Sequence, residues 1–140
     1  MDDPCGEWIE KAEEDFRAAL ALRRLRGRPA HNAVCFHAQQ CIEKYLKAVL
    51  QQQGLAVRKT HALPSLLDQC AGSHPNLNVL RQEMVGLSTY AVEFRYPGES
   101  ATIDEAKEAV RIMKNARLAL KTALSKKISS SNHGMFKQPM

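Results

Sequence analysis

The stretch AVCFHAQQCIEKYLKAVL, residues 33–50, decides how this chain folds. At about 100° per residue, Val34, Cys35, Ala38, Cys41, Ile42, Tyr45, Leu46, Ala48, Val49 and Leu50 gather in one arc of roughly 200°. A helix on the surface of a globular protein shows an apolar stripe of only about 100°. An arc twice as wide needs neighbours on two sides, so this helix is expected at the centre of a bundle. Phe36, His37, Gln40, Glu43, Lys44 and Lys47 fill the remaining arc. A narrow polar strip on a mostly buried helix has to be solvated, paired or used, because an unpaired buried charge is costly.

The flanking sequence supplies the neighbours. Asp3 and Pro4 give an N-cap and a first-turn proline for a helix running to about Arg26. Its apolar residues Ile9, Ala12, Phe16, Ala19 and Leu20 recur at helical spacing. Acidic residues crowd its start and Arg23, Arg24 and Arg26 its end, which complements the helix dipole. Gly27 stops this helix, Pro29 restarts the chain, and Gly54 ends the central helix. After the connector LAVRKTH, Thr60 is placed to cap a small helix carrying Leu63, Leu66, Leu67 and Cys70, closed by Gly72. SHPN, residues 73–76, reads as a turn. From Asn76 a further helix carries Leu77, Leu80, Met84, Leu87, Ala91 and Phe94 and cannot pass Pro97 as regular helix. Thr102 with Glu105 makes a capping box for the last helix, whose stripe is Ala109, Val110, Met113, Ala116, Leu120 and Leu124. No stretch reads as a strand. The expected class is all-α, an antiparallel up-and-down bundle of four to five helices over residues 4–127, with the polar, aperiodic tail 128–140 outside the fold.

Composition narrows the functional classes. A hydrophobic content of 44% and a charged content of 25% are those of an ordinary soluble domain. The net charge of +5 permits an anionic partner without requiring one. The cysteines at 5, 35, 41 and 70 form no CxxC pair and no Cys/His zinc spacing, and two of them lie in the apolar arc. They read as reduced, buried thiols of a cytoplasmic protein, with no metal or other cofactor. Nothing in the chain is apolar over a membrane-spanning length, and no signal-peptide pattern opens it.

Three arrangements are candidates for chemistry. The first is the strip Gln40, Glu43, Lys44 and Lys47, in which Glu43 and Lys47 form an i,i+4 pair worth about 0.2–0.5 kcal/mol on a solvated face. Phe36 in the middle of that strip has no use on a purely solvated face, which points to a subunit contact through Phe36, Gln40 and Lys47. The second is EFRYPGE, residues 93–99, where Arg95 offers a planar fork for phosphate and Tyr96 an aromatic face for a base. A helix-ending turn explains the same residues. The third is His61, which with Arg58 and Lys59 makes a basic cluster beside a helix start. Arg26 and His31 span a glycine and a proline and form no helical pair, and His37 borders the core. No phosphate loop, catalytic triad or metal cluster is present.

Taken together, AxxCFHAQQCIEKYLKAVLQQQG, KTHALPSLLDQC and LSTYAVEFRYPGE resemble the HEPN family (higher eukaryotes and prokaryotes nucleotide-binding), from about Trp8 to Leu124. The resemblance implies a bundle of four or five helices and a homodimer. It also implies pairing with a small nucleotidyltransferase, encoded beside the chain or fused to it, as in a toxin–antitoxin-like pair. Many members are metal-independent ribonucleases with an Arg-x4–6-His motif at about the place of Arg95-Tyr96-Pro97-Gly98. Here the first histidine after Arg95 is His133, so the dyad is incomplete. The expectation is a non-catalytic module that binds a nucleotide or a nucleotidyltransferase, the ligand site being Arg95, Tyr96, His61 and the Lys44/Lys47 edge. A ribonuclease toxin using Arg95 and a plain dimerisation module are the alternatives. RNA ranks below a nucleotide as the ligand.

Overall fold

A computed structural model describes residues 3–91 and 97–126 of the chain. Phe94, Arg95, Tyr96 and the tail lie outside the described residues. Helices account for every regular element among those described: α1 (Pro4–Arg23), α2 (His31–Gln52), α3 (Leu63–Ala71), α4 (Arg81–Ser88) and α5 (Ile103–Ser125), with 3-10 turns at Pro75–Leu80 and Thr89–Ala91. No helix among them is long and apolar enough to cross a membrane.

The central position of α2 follows from its wide apolar arc. All ten apolar residues of that arc have no solvent exposure. Each fully buried large aliphatic side chain contributes about 1.5–3 kcal/mol. Helix α1 covers one side of the arc and α5 another. Contacts from Asp15–His37 through Glu13–Tyr45 to Cys5–Ala48 show that α1 runs antiparallel to α2. Asn32 accepts from the Ala101 N–H near one end of α2, and Gln52 donates to the Leu124 carbonyl near the other, so α5 runs parallel to α2. Helix α4 is the remaining long-axis arm. Its Glu83 meets Arg111 and Asn115, while Leu77, ahead of it, lies beside Ala119 and Ala123. The up-and-down order is thus α1, α2, α4, α5, with α3 inserted before α4 as a short antiparallel companion whose first N–H is capped by Ser88 Oγ.

The helix ends have local causes. Asp3 caps α1 by accepting from the Gly6 N–H at 3.1 Å. This helix stops at Arg23, three residues short of the Arg26 expected from sequence. Arg24 and Leu25 already bond back to Ala21 and Leu22 in a tightened last turn, and the exposed arginines that follow repel one another ahead of Gly27 at φ +83°. Gly54, at φ +74°, closes α2 in a Schellman arrangement, with Leu55 N–H on Leu50 O and Gly54 N–H on Gln51 O. Thr60 does not cap α3, which starts after Ala62. Its hydroxyl accepts from the Ala62 N–H one step earlier, and Ser88 takes over the capping. The SHPN turn continues directly into the Pro75–Leu80 3-10 segment, so Leu77 and Leu80 reach the core from there and Met84 and Leu87 from α4. The Thr102–Glu105 capping box is formed in full at the start of α5.

Candidate functional site

The strip that sequence left on the outer face of α2 is partly covered, none of its six residues being fully exposed. Glu43 and Lys47 are buried, and Gln39, one position outside the strip, is fully so. Helix α1 brings Asp15 against one edge. Asp15 is 7% exposed and accepts from Lys44 Nζ at 2.6 Å. Its other oxygen lies 2.7 Å from His37 Nδ1. A carboxylate only accepts, so Nδ1 carries the hydrogen and Nε2 is left for other partners.

Glu43 is the hub of the other edge. It takes Lys47 Nζ at 2.9 Å, His61 Nδ1 at 2.9 and 3.1 Å, Gln39 Nε2 at 3.2 Å and Gln40 Nε2 at 3.3 Å. Gln39 also donates to the His61 carbonyl at 3.1 Å, which ties the α2–α3 connector to the helix. Burial alone would push the Glu43 carboxyl up. The donors from Lys47, His61 and Gln39 outweigh it and hold the group below its ordinary value. Lys47 Nζ also sits 5.5 Å from the centre of the Trp8 ring on α1. The surface value for an exposed Glu43–Lys47 pair therefore does not apply, since this pair is desolvated.

A third ionic group joins α1, α2 and α5. Arg117 grips Glu13 with two bonds, 2.7 and 2.8 Å, and stacks over Phe16 at 3.9 Å, while the Tyr45 hydroxyl donates to the same carboxylate. The Arg117 bond brings the Glu13 pKa down to about 2.

The residues expected at the site are distributed unevenly. Gln40, Lys47 and His61 converge on Glu43. Lys44 belongs to Asp15 instead. Phe36 is half-buried beside them, its ring edge-on to His37 at 5.5 Å. Arg58, Lys59 and the 68%-exposed His61 side chain face solvent. Arg95 and Tyr96, the remaining ligand residues, lie outside the described residues. Sequence reading missed Asp15, Glu13, Gln39 and Trp8. Asp15 did carry a signal: it lies three residues after Ala12 and four before Ala19, in line with two fully buried alanines.

Two cavities lie away from the strip. One of about 400 Å³ is lined by Ser73, His74, Leu77, Ala119, Thr122 and Lys126 among others. Another of about 410 Å³ sits at the start of α2, between residues 29–33 and Ser100–Ala101. Among the described residues no group of three or more His, Cys, Asp or Glu is arranged to hold a metal ion.

A sequence profile of the HEPN domain matches residues 5–128. This chain belongs to the HEPN family. The crystal structure of TT1696 from Thermus thermophilus superposes with a TM-score of 0.75 at 24% identity, over 87% of this chain and 99% of that one. ST0689, described as an archaeal HEPN homologue, superposes with a TM-score of 0.67 at 22% identity, over 87% and 98% of the two chains. At these identities the likeness is one of fold. No curated protein matches the sequence. In this HEPN bundle Asp15 of α1 and Glu43 of the strip each hold one lysine and one histidine. That arrangement neutralises both lysines and orients both imidazoles, and it places no nucleophile between them.

Proposed function

We propose that this HEPN chain is a non-catalytic docking module that assembles as a homodimer and engages a small nucleotidyltransferase, through the face carrying Phe36, Gln40 and His61. One observation carries the reading: Lys44 and Lys47, the cations that would have clamped a phosphate, are both occupied by carboxylates of their own chain. A charge-balanced strip attracts a free phosphate weakly. It suits a protein partner, because polar groups already satisfied at a contact need no new partner on desolvation. Phe36 gives that face an aromatic anchor of the type that dominates interface energetics. Nucleotide recognition falls to Arg95 and Tyr96 by family resemblance.

Sedimentation velocity at micromolar concentration tests the docking face. The wild-type chain is expected to run as a dimer and Phe36→Asp as a monomer of unchanged helicity. A wild-type monomer, or a dimer indifferent to Phe36→Asp, overturns the reading.

A further inference from the structure

The connector between α2 and α3 is short for the distance it covers. It leaves α2 at Gly54, yet His61 is bonded back to Gln39 and Glu43, near the middle of that helix. Those positions lie about 13 residues back along α2, or roughly 20 Å at 1.5 Å per residue. The chain from Gly54 to His61 spans at most about 24 Å when fully extended. The segment therefore runs back along the helix in a largely extended path, with a bend at Lys59 just before His61 meets the strip. Most of residues 54–62 are exposed, Val57 and Thr60 being half-buried. Val57 packs against the core, so the segment is held by that one apolar side chain and by its end bonds.

Those bonds are concentrated at one residue. His61 contributes its ring to Glu43 and its carbonyl to Gln39. Beyond it the chain is fixed, since Leu63 is fully buried and its N–H is capped by Ser88. At the other end Gly54 sits at φ +74°, where rotation costs a glycine little.

We propose that residues 54–62 form a strap latched over α2 by the Glu43–His61 and Gln39–His61 bonds, which opens about Gly54 to uncover Glu43 and Gln39. What it uncovers rests on the docking reading: in the closed state Glu43 is satisfied within the chain, and in the open state its carboxylate accepts a donor from the partner in place of His61. The latch itself stands on the contacts alone. Lys47 remains on Glu43 in both states, and the other charged groups on the strap are Arg58 and Lys59. Neither takes part in an ion pair with Glu43.

Limited trypsin digestion of the full chain reads the latch directly, because Arg58 and Lys59 lie on the strap. Arg26, in the exposed α1–α2 connector, is an internal reference on the same molecule. Loss of one charge-assisted bond in His61→Ala is expected to raise cleavage at Arg58 and Lys59, relative to Arg26, by about 10-fold or more. His61→Asn keeps an N–H donor and should fall between the two. Amide exchange should quicken over residues 55–62 and stay unchanged in α5. An unchanged cleavage ratio in His61→Ala overturns the latch, as does equal acceleration at Arg26, which would report loss of the fold. The experiment needs no partner and no dimer, so failure of the latch and failure of the docking reading are separate results.

Discussion

Glu43→Gln is the substitution whose cost the structure constrains most closely. The Glu43 side chain is 3% exposed and that of Lys47 is 8% exposed. A glutamine keeps the shape and still accepts from Gln39 or Gln40, but it removes the anion beside Lys47 Nζ. This leaves the ammonium one neutral amide oxygen, for which Gln39, Gln40 and His61 compete, and the Trp8 face at 5.5 Å. Removing one partner of a buried pair costs about 3–5 kcal/mol, whereas replacing both by apolar groups of similar volume is often neutral. Some of that cost is recovered if Lys47 reaches water along its flexible stem, so about 3 kcal/mol is expected. Glu43→Leu with Lys47→Met should lose less than the single change, apart from the unmet donors of Gln39 and His61. Urea unfolding at pH 7, followed by circular dichroism, gives each value. The reasoning fails if Glu43→Gln costs under about 1 kcal/mol, or if the double substitution costs as much as the single costs added together.

The Glu13–Arg117 contact predicts an acid transition. Glu13 is held at about 2 against an ordinary 4.5, so its stabilisation is complete above 4.5 and disappears as the pH falls toward 2. Arg117→Met should lower stability at pH 7 by about 1.5–3 kcal/mol and flatten the slope between pH 5 and 2; equal slopes in urea titrations would refute it. All four cysteines are expected as reduced thiols, with Cys5 reacting first in the native protein because Cys35, Cys41 and Cys70 are fully buried. Burial also pushes the Cys35 and Cys70 thiols up to about 12. Thiol titration before and after denaturation measures this, and a disulfide between any pair would contradict it.

Periodicity reports how a helix faces its core, and it succeeded where that was the question. The ten-residue arc of α2, the Thr102–Glu105 box and the α5 stripe from Ala109 to Leu120 are as the sequence predicts, while Leu124 is half-buried and Ala123 takes the buried place beside it. The partner of each charge on α2 was not legible. Asp15 and Lys44 are 29 positions apart, Glu43 and His61 18, and Glu13 and Arg117 104. Such pairings depend on the register between helices, which a wheel drawn for one helix does not contain. The acidic run on α1 invited a helix-dipole explanation that suits Glu7. Asp15, though, is a buried counter-ion. The motif likeness to HEPN supplied the family, and residues 93–96 of EFRYPGE, its most chemical stretch, lie outside the described residues.

Because the strip's lysines are cancelled internally, the excess positive charge is carried elsewhere. Arg24, Arg26 and Arg28 are exposed together where α1 hands over to α2, while Glu7, Glu10 and Glu14 are exposed toward the opposite end of α1. The backbone dipoles of antiparallel α1 and α2 oppose each other, so the side chains set the balance. Over a 20-residue helix of about 30 Å, that separation gives α1 an electric moment along its length, which the reverse order of charges on α5, Asp104 and Glu108 at the arginine end and Lys121 and Lys126 at the other, opposes. What the connector offers a polyanion is local: three exposed arginines within five residues, felt over about one Debye length, about 10 Å at 0.1 M salt. The densest exposed positive charge on α1 thus belongs to a connector with no part in the core.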